Sequence, residues 1–499
     1  MKIVMKRFLY LVAAITSLPV ITNAQIADDA LRYSQTTFGG TARFMAMGGA
    51  FTAVGGDMSS LTFNPAGIAV FTKSQLTFSP GIAIQSTSSQ YNGLTSLAYQ
   101  PSVNIQNAGL VFAWKNASED AMWKGVAFGF VYNRTNDFNA QVATQGNNYN
   151  STMLDQYTAQ ANGTNWQNLD QFSTGPAFNA GLLDTNKGGN TYFNIIRPYL
   201  GNGTNYVLQM KSMTSSGSMG EMDLSFGGNY DNRLYIGATL GIPDIRYTQN
   251  VTYSETPHYT DSAFGLTGYS VASNVTTTGS GVNLKLGLIY RITDWLRIGL
   301  AIHTPTVFTL HDDYSSTITA NYNPSPYSGN GGKADSTTPG SFDYTLITPM
   351  KAIGGIAFII HRQAILSADY EYVNYSNAYF SASGADYSSV NRAISNSYMG
   401  ASNIRVGGEL VLYPFSIRAG YTYYGNPYTK EAANTGLKRS LSAGVGVRIK
   451  HSFIDIAYVL SYYDQQDYLY SSAYAPYGTN FAANHTEVSN VVLTMGVNF

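Results

Sequence analysis

Beyond Ser74 the chain repeatedly alternates apolar and polar residues with a period of two. In 440–450, Leu441, Ala443, Val445, Val447 and Ile449 share one face, and Ser442, Gly444, Gly446 and Arg448 share the other. In the last run, Val491, Leu493, Met495, Val497 and Phe499 alternate with Val492, Thr494, Gly496 and Asn498. Similar runs cover 282–290, 296–303, 364–372, 404–412, 417–423 and 454–462. Successive side chains of a strand point to opposite faces, so each run predicts a strand with one apolar face. Fourteen strand candidates are centred near 78, 111, 129, 224, 238, 285, 300, 355, 368, 408, 420, 445, 458 and 493.

A sandwich shows the same alternation, so the connections decide. Short ones fall at 116–122, 230–232, 291–294, 361–363, 413–415 and 450–452. Longer ones fall near 86–107, 136–217, 255–278, 311–341, 376–402, 425–437 and 464–487. Short turns at one end and longer loops at the other predict an all-β fold, a transmembrane antiparallel β-barrel over 73–499. Closing the sheet removes its edges, which lipid requires because it cannot satisfy a free backbone N–H or C=O.

Composition narrows the class. Beyond residue 24 no apolar run is long enough for a spanning helix. The chain holds 39 Tyr, 24 Phe and 49 Gly but only 11% charged residues, which is poor in solvating charge for a soluble protein of this length. A net charge of −1 argues against nucleic acid, and zero Cys excludes disulfides and thiolate metal sites. Lys2, Lys6 and Arg7 precede a mostly apolar 8–21, and Thr22-Asn23-Ala24 suits cleavage, so 1–24 reads as a secretory signal peptide. Trp114, Trp123 and Trp295 flank short turns, the position of an aromatic girdle.

The polar faces of the strands carry Lys285, Arg297, Asp369, Glu371, Arg405, Glu409, Arg418, Arg448 and Asp455. On a lipid face at midplane an Arg or Lys costs roughly 2–4 kcal/mol, so these side chains are expected in the lumen. They form either a polar track for a carboxylate headgroup or a structural ion-pair network. No GxSxG, HExxH or GxxxxGK[ST] pattern occurs, so no enzyme is expected. His303 and His311 stand eight residues apart, about 26 Å at strand rise, and cannot share a metal ion. No cofactor or metal is expected. Within the long polar loop, Met153, Leu154, Tyr157, Trp166, Leu169 and Phe172 stand out as apolar.

One stretch before the first strand carries a family likeness. Residues 41–71 are rich in small residues, with Gly48-Gly49, Gly55-Gly56, Asp57-Met58-Ser59-Ser60 and then Asn64-Pro65-Ala66-Gly67. This series resembles the hatch of the FadL/TodX family, outer-membrane barrels that admit long-chain fatty acids and other hydrophobic compounds. The terminal Phe499 is similar to the last residue of barrels read by the barrel-assembly machinery. The resemblance implies a hatch at 25–72 plugging the barrel, with Asn64, Pro65, Ala66 and Gly67 at the gate and a lateral exit through the wall. It implies an external substrate patch at Met153, Leu154, Tyr157, Trp166, Leu169 and Phe172, although the loop around them is mostly polar. Gly125 and Gly129 are either the site of a wall kink or space fillers. Expected partners are outer-membrane lipid, a hydrophobic small molecule and the assembly machinery, with the chain a monomer. The alternatives are a fixed partner in protein export or surface attachment, and a haem or aromatic-hydrocarbon channel. An apolar tunnel from the 136–219 loop to the hatch would favour transport, and a lumen packed shut with a large apolar patch outside would favour the partner role.

Overall fold

The computed structural model describes residues 23–499 except 119, 187–188, 260–264, 324–331, 337–338, 362, 433 and 471–480. The leader expected at 1–24 lies almost entirely outside the described residues. A fourteen-stave antiparallel sheet closes on itself. β1 is Gln75–Tyr91, β2 is Leu94–Lys115, and β3 runs as Trp123–Asp137 and, past a bend, Ala140–Asn148. β4 (Tyr206–Tyr230), β5 (Leu234–His258) and β6 (Leu266–Arg291) are long. β7 is split into Leu296–His303 and Val307–Tyr322, and β8 into Gly340–Ile347 and Lys351–Ile360. β9 (Ala364–Asn374), β10 (Gly400–Leu412), β11 (Phe415–Tyr424), β12 (Lys438–Ile449), β13 (Ser452–Tyr468) and β14 (Phe481–Asn498) complete the wall. β14 returns to β1 from Gln75↔Asn498 to Gln90↔Ala483.

Period-two alternation sorts the faces. Outward side chains include Val491, Leu493, Met495 and Val497 on β14, Leu441, Val445 and Ile449 on β12, and Val282, Leu284 and Leu286 on β6. All are exposed large apolar groups, and together they make a surface that water disfavours and lipid accepts. Trp114, Trp123 and Trp295 are exposed beside short turns, as a girdle requires. The six short turns fall where the alternation put them.

The long connections differ from expectation. β4 and β5 have 25 residues and β6 has 26, against the ~9–11 that cross a bilayer with tilt. The wall therefore continues well past its apolar band. Most of 86–107 and 255–278 is strand, and β1 turns into β2 at Asn92-Gly93, whose φ values of 45° and 82° suit a two-residue hairpin. The reason is chemical. Above the band the outward positions turn polar, as at Ser86, Ser88 and Gln90, and the contrast that marks a strand fades.

The interior is filled in layers, which β5 reads out in order. Tyr235 packs with Ala66, Ala69 and Ile289 near the short turns. Ile245 and Tyr247 pack around helix α1 (Asn23–Ser34). Tyr253 joins a cap formed by 149–205.

Candidate functional site

Most of the segment 41–70, where the resemblance puts a hatch, is buried. Thr41 caps α2 (Ala42–Ala46) by accepting the Phe44 N–H. Gly48 and Gly49 follow with φ of 62° and 75°, a left-handed turn that side chains resist. Asp57 then caps a 3₁₀ turn at Met58–Thr62, accepting from Ser59 N–H at 2.9 Å and from the Thr41 hydroxyl at 2.8 Å. Burial pushes the Asp57 carboxyl up in pKa, against the pull of the Arg43 charge and these bonds.

Asn64 is the knot of the segment. Its carboxamide oxygen accepts from Ala66 N–H at 3.0 Å and starts the turn Pro65–Val70. Its nitrogen donates to Thr52 O at 2.6 Å and to Leu288 O on β6 at 3.2 Å. A carboxamide offers two N–H donors beside its acceptor oxygen in one flat group, which a carboxylate does not. Pro65, Ala66 and Gly67 are buried behind it. Wall glycines make room: a Cβ on Gly287 would strike the Asn64 side chain, one on Gly237 the Pro65 carbonyl, and one on Gly129 the Ile68 methyl. Gly129 is thus a space filler, whereas Gly125 lies at a register shift in β3.

The lumen charges separate into clusters. Lys285 meets Glu221 at 2.6 Å and Asp223 at 3.0 Å. Arg405, fully buried, meets Glu371 at 2.8 Å. Arg418 meets Glu409 at 2.7 Å and Asp455 at 2.6 Å, and Arg43 of the inner segment meets Glu409 at 2.6 Å. Asp369 accepts both the Thr52 N–H (2.9 Å) and hydroxyl (2.7 Å). Arg297 reaches Val54 O at 3.3 Å. Arg448 sits at the exposed rim near the short turns. These contacts form separate ion-pair clusters in the wall, one of which takes in Arg43 of the inner segment. Arg43, Glu221 and Asp223 were missed from sequence. Arg43 had a signal, being the one cation in 41–71.

The wall has an open seam. β2 and β3 pair only from Asn107↔Asn133 to Lys115↔Gly125. Among the described residues no β3 residue pairs with Leu94–Gln106, of which Leu94–Ile105 stays paired to β1. Val103 is 81% exposed, opposite Ile82, which itself pairs with Val491 of the apolar band. The unpaired edge therefore begins at lipid depth. The inner segment takes the Thr135 carbonyl, to which Thr37 gives its N–H (2.7 Å) and hydroxyl (3.2 Å), and the Asn136 side-chain amide donates to Gln35 O at 3.3 Å. Asn104 reaches Asp137 across the seam at 3.4 Å.

Two small cavities lie nearby. One of about 110 Å³ stands behind the seam, bounded by Gln100, Ser102, Gln106, Arg134, Asn136 and Lys438. The other, about 50 Å³, is bounded by Tyr33, Lys285, His303, Lys351 and Glu371. Thr37 lines both.

The external patch needs correction. The described residues of 149–205 fold into a cap whose helices α3 (Met153–Ala161) and α4 (Thr174–Asn179) turn apolar side chains inward. Leu154 and Tyr157 are buried in the cap's core, with Met153 and Leu169 packed against it. Phe172 is half-buried on Tyr314, and Trp166 is exposed. Apolar side chains of a folded cap bury each other before they face water.

No family model matches the chain, and no curated protein matches it. Solved structures do. The toluene transporter TodX of P. putida aligns at 15% identity over 93% of this chain and 99% of that one, with a TM-score of 0.53. A FadL homologue of Pseudomonas aeruginosa aligns at 13% identity over 93% and 100%, also with a TM-score of 0.53. At such identities the likeness is one of fold.

Proposed function

We propose that this chain, which shares the fold of those channels, is an outer-membrane channel for passive entry of hydrophobic compounds, with exit sideways through the β2–β3 seam and the inner segment as its gate. The observation that carries the reading is the unpaired β2 edge at lipid depth. Lipid cannot satisfy those backbone groups, and such an edge is tolerated where it lines a polar cavity, and the cavity behind it has Gln100, Ser102, Gln106, Arg134 and Asn136 in its walls. The cap and α1 close the route from outside, and the segment pinned by Arg43 and Asn64 closes it toward the short turns. Long-chain fatty acids, the substrate implied by the resemblance, stay within this class and form one arm of the test.

A second reading has its own support. Both cavities fall far below the ~300–1,000 Å³ of ordinary ligand pockets, so a barrel serving as a fixed partner of other surface proteins fits the packed lumen.

The chain lacks cysteine, so a disulfide staple separates the two. Asn104→Cys with Asp137→Cys bridges the seam. The channel reading expects oxidised, stapled protein to lose uptake of radiolabelled oleate and toluene in cells, with recovery on reduction. Uptake equal in both states would remove the seam from the mechanism, and no uptake in either would leave the partner reading.

A further inference from the structure

The rim formed by the short turns is uneven in charge. Asp120 stands after β2, Asp231 after β4 and Asp294 after β6, the last held by Arg291 at 2.6 Å. From the β10–β11 turn round to the end of β2 the rim changes character. The segments 411–417, 447–453, 495–499, 72–76 and 111–117 contain Lys73, Lys115, Arg448, Lys450 and His451, and no Asp or Glu.

These five segments are neighbours in the wall. Arg448 gives its backbone N–H to Pro414 O at 2.9 Å, Asn498 gives its own to His451 O at 2.8 Å, and Phe499 gives its own to Ser74 O at 2.9 Å. Ala113 N–H donates to the Ser74 hydroxyl at 3.2 Å. The result is one continuous arc from β10 to β2, on which Lys73, Lys115, Arg448 and Lys450 are exposed. The carboxylates closest along these strands are buried and already engaged: Asp455 with Arg418 at 2.6 Å, and Glu409 with Arg418 and Arg43. Even with the Phe499 carboxylate counted, the arc keeps a surplus of positive charge.

The depth of the arc is marked by its apolar side chains. Leu412, Tyr413, Phe415, Ile449, Phe499 and Trp114 are all exposed, Tyr413 to 79%. Large exposed aromatic groups at the end of an apolar band belong to the boundary between hydrocarbon and headgroups. Lys115 follows Trp114 directly and Lys450 follows Ile449. A lysine there lays its stem along the apolar surface and carries its ammonium out to headgroup level. Beyond the other edge of the band the exposed wall charges include Asp313, Asp343, Asp464 and Glu487. The cationic arc therefore faces one leaflet only.

We propose that this arc is an interaction surface for anionic phospholipid, which it holds by the headgroup in the leaflet at the short-turn end. Each ammonium or guanidinium is matched by a lipid phosphate, and the exposed rings and aliphatic groups beside them take the start of the acyl chains. A zwitterionic headgroup brings a cation of its own, which the arc repels, so selection is by net charge. The surface serves the barrel equally as a channel or as a fixed partner of other proteins.

Native mass spectrometry of the intact protein, titrated in neutral detergent with phosphatidylglycerol or phosphatidylcholine of the same acyl chains, tests this. The proposal expects phosphatidylglycerol to be held about tenfold more tightly at low salt, with the difference fading in concentrated salt. Each cation removed should weaken its binding about fivefold. Lys115→Gln with Lys450→Gln should therefore abolish most of the preference, Lys115→Arg with Lys450→Arg should keep it, and Arg233→Gln, on the part of the rim that carries acids, should keep it too. Lys450→Gln alone, in a turn, gives the fivefold loss if the double variant fails to fold. Equal retention of the two lipids by the parent overturns the proposal. A preference that survives the Gln variants, or is lost with Arg233→Gln, overturns its placement on this arc. Displacement of the lipid by soluble glycerophosphoglycerol at the same concentration would make the arc a site for free phosphate esters and overturn the lipid assignment.

Discussion

Arg43 ties the inner segment to the wall by charge, so on the channel reading proposed above its removal should loosen that segment by a definite amount. Arg43 gives Glu409 two bonds from separate nitrogens, Nη2 at 2.6 Å and Nε at 3.1 Å. Glu409 is shared with Arg418, which also holds Asp455. Arg43→Met leaves Glu409 its second partner, so its cost is that of charge-assisted hydrogen bonds, about 1.5–3 kcal/mol. Glu409→Gln strands two guanidinium groups against one carboxylate and should cost more, about 3–5 kcal/mol. The double variant keeps the neutral Arg418–Asp455 pair, so its cost should fall short of the sum. If the segment must leave its seat for conduction, 1.5–3 kcal/mol raises the open-to-closed ratio about 10- to 150-fold. Openings should stay brief, because Thr52 to Asp369 and Thr62 to Asp223 (2.6 Å) still hold the segment. Single-channel recording in planar bilayers reads the ratio, and the double-mutant cycle reads the coupling. Costs that add within ~0.5 kcal/mol, or a Glu409→Gln channel no more open than the parent, would refute the pinning argument.

Gly287→Ala should unseat the same segment without touching a charge, since its methyl lands on the Asn64 side chain; bilayer conductance unchanged from the parent would show that Asn64 is not held there. Deleting 41–67 should turn the barrel into an open pore, and a deletion protein that inserts yet conducts no better than the intact chain would exclude the segment as the gate. Thr37→Pro removes the N–H and hydroxyl that occupy Thr135 O, so amide hydrogen exchange along β2 94–106 should slow as β3 re-pairs; exchange as fast as before would break the link between segment and seam.

The band in lipid was the legible part of the fold. There one face must be apolar and the other polar, so 440–450 and 491–499 could be read residue by residue. Above the band that rule lapses. The outer halves of β1, β2, β5 and β6 mix Ser, Thr, Asn and Tyr on both faces and passed for loop, although Asn92-Gly93 carried the hairpin signal. The cap misled in the other direction. Leu154 and Tyr157 look like a surface patch in a polar loop because their partners, Tyr253 and Leu266 among them, lie a hundred residues away. The lumen charges were found by strand parity, but their grouping was not. Pairing Glu409 with Arg43 or Lys285 with Glu221 depends on register and on where the inner segment rests, which no local pattern encodes.

The seam and the gate are parts of one arrangement. If the β2–β3 register continued past Asn107↔Asn133, Thr135 would stand opposite Ile105, and its carbonyl would be claimed by β2. Thr37 claims it instead, with two bonds, and Asn136 turns to Gln35. Gly39 lies so close to Arg134 O that a side chain there would collide with the strand. The inner segment thus substitutes for β2 over a short length, while β3 stays paired with β4 on its other side. An opening held this way is not a defect of closure. It is maintained by the same residues that link α1 to the seat at Arg43 and Asn64, so displacement of the segment at either end reaches the seam through Gln35, Thr37 and Gly39. On the channel reading proposed above, closing the wall and opening the lumen would be alternatives competing for the Thr135 carbonyl, so the wall would open only while the inner segment is seated.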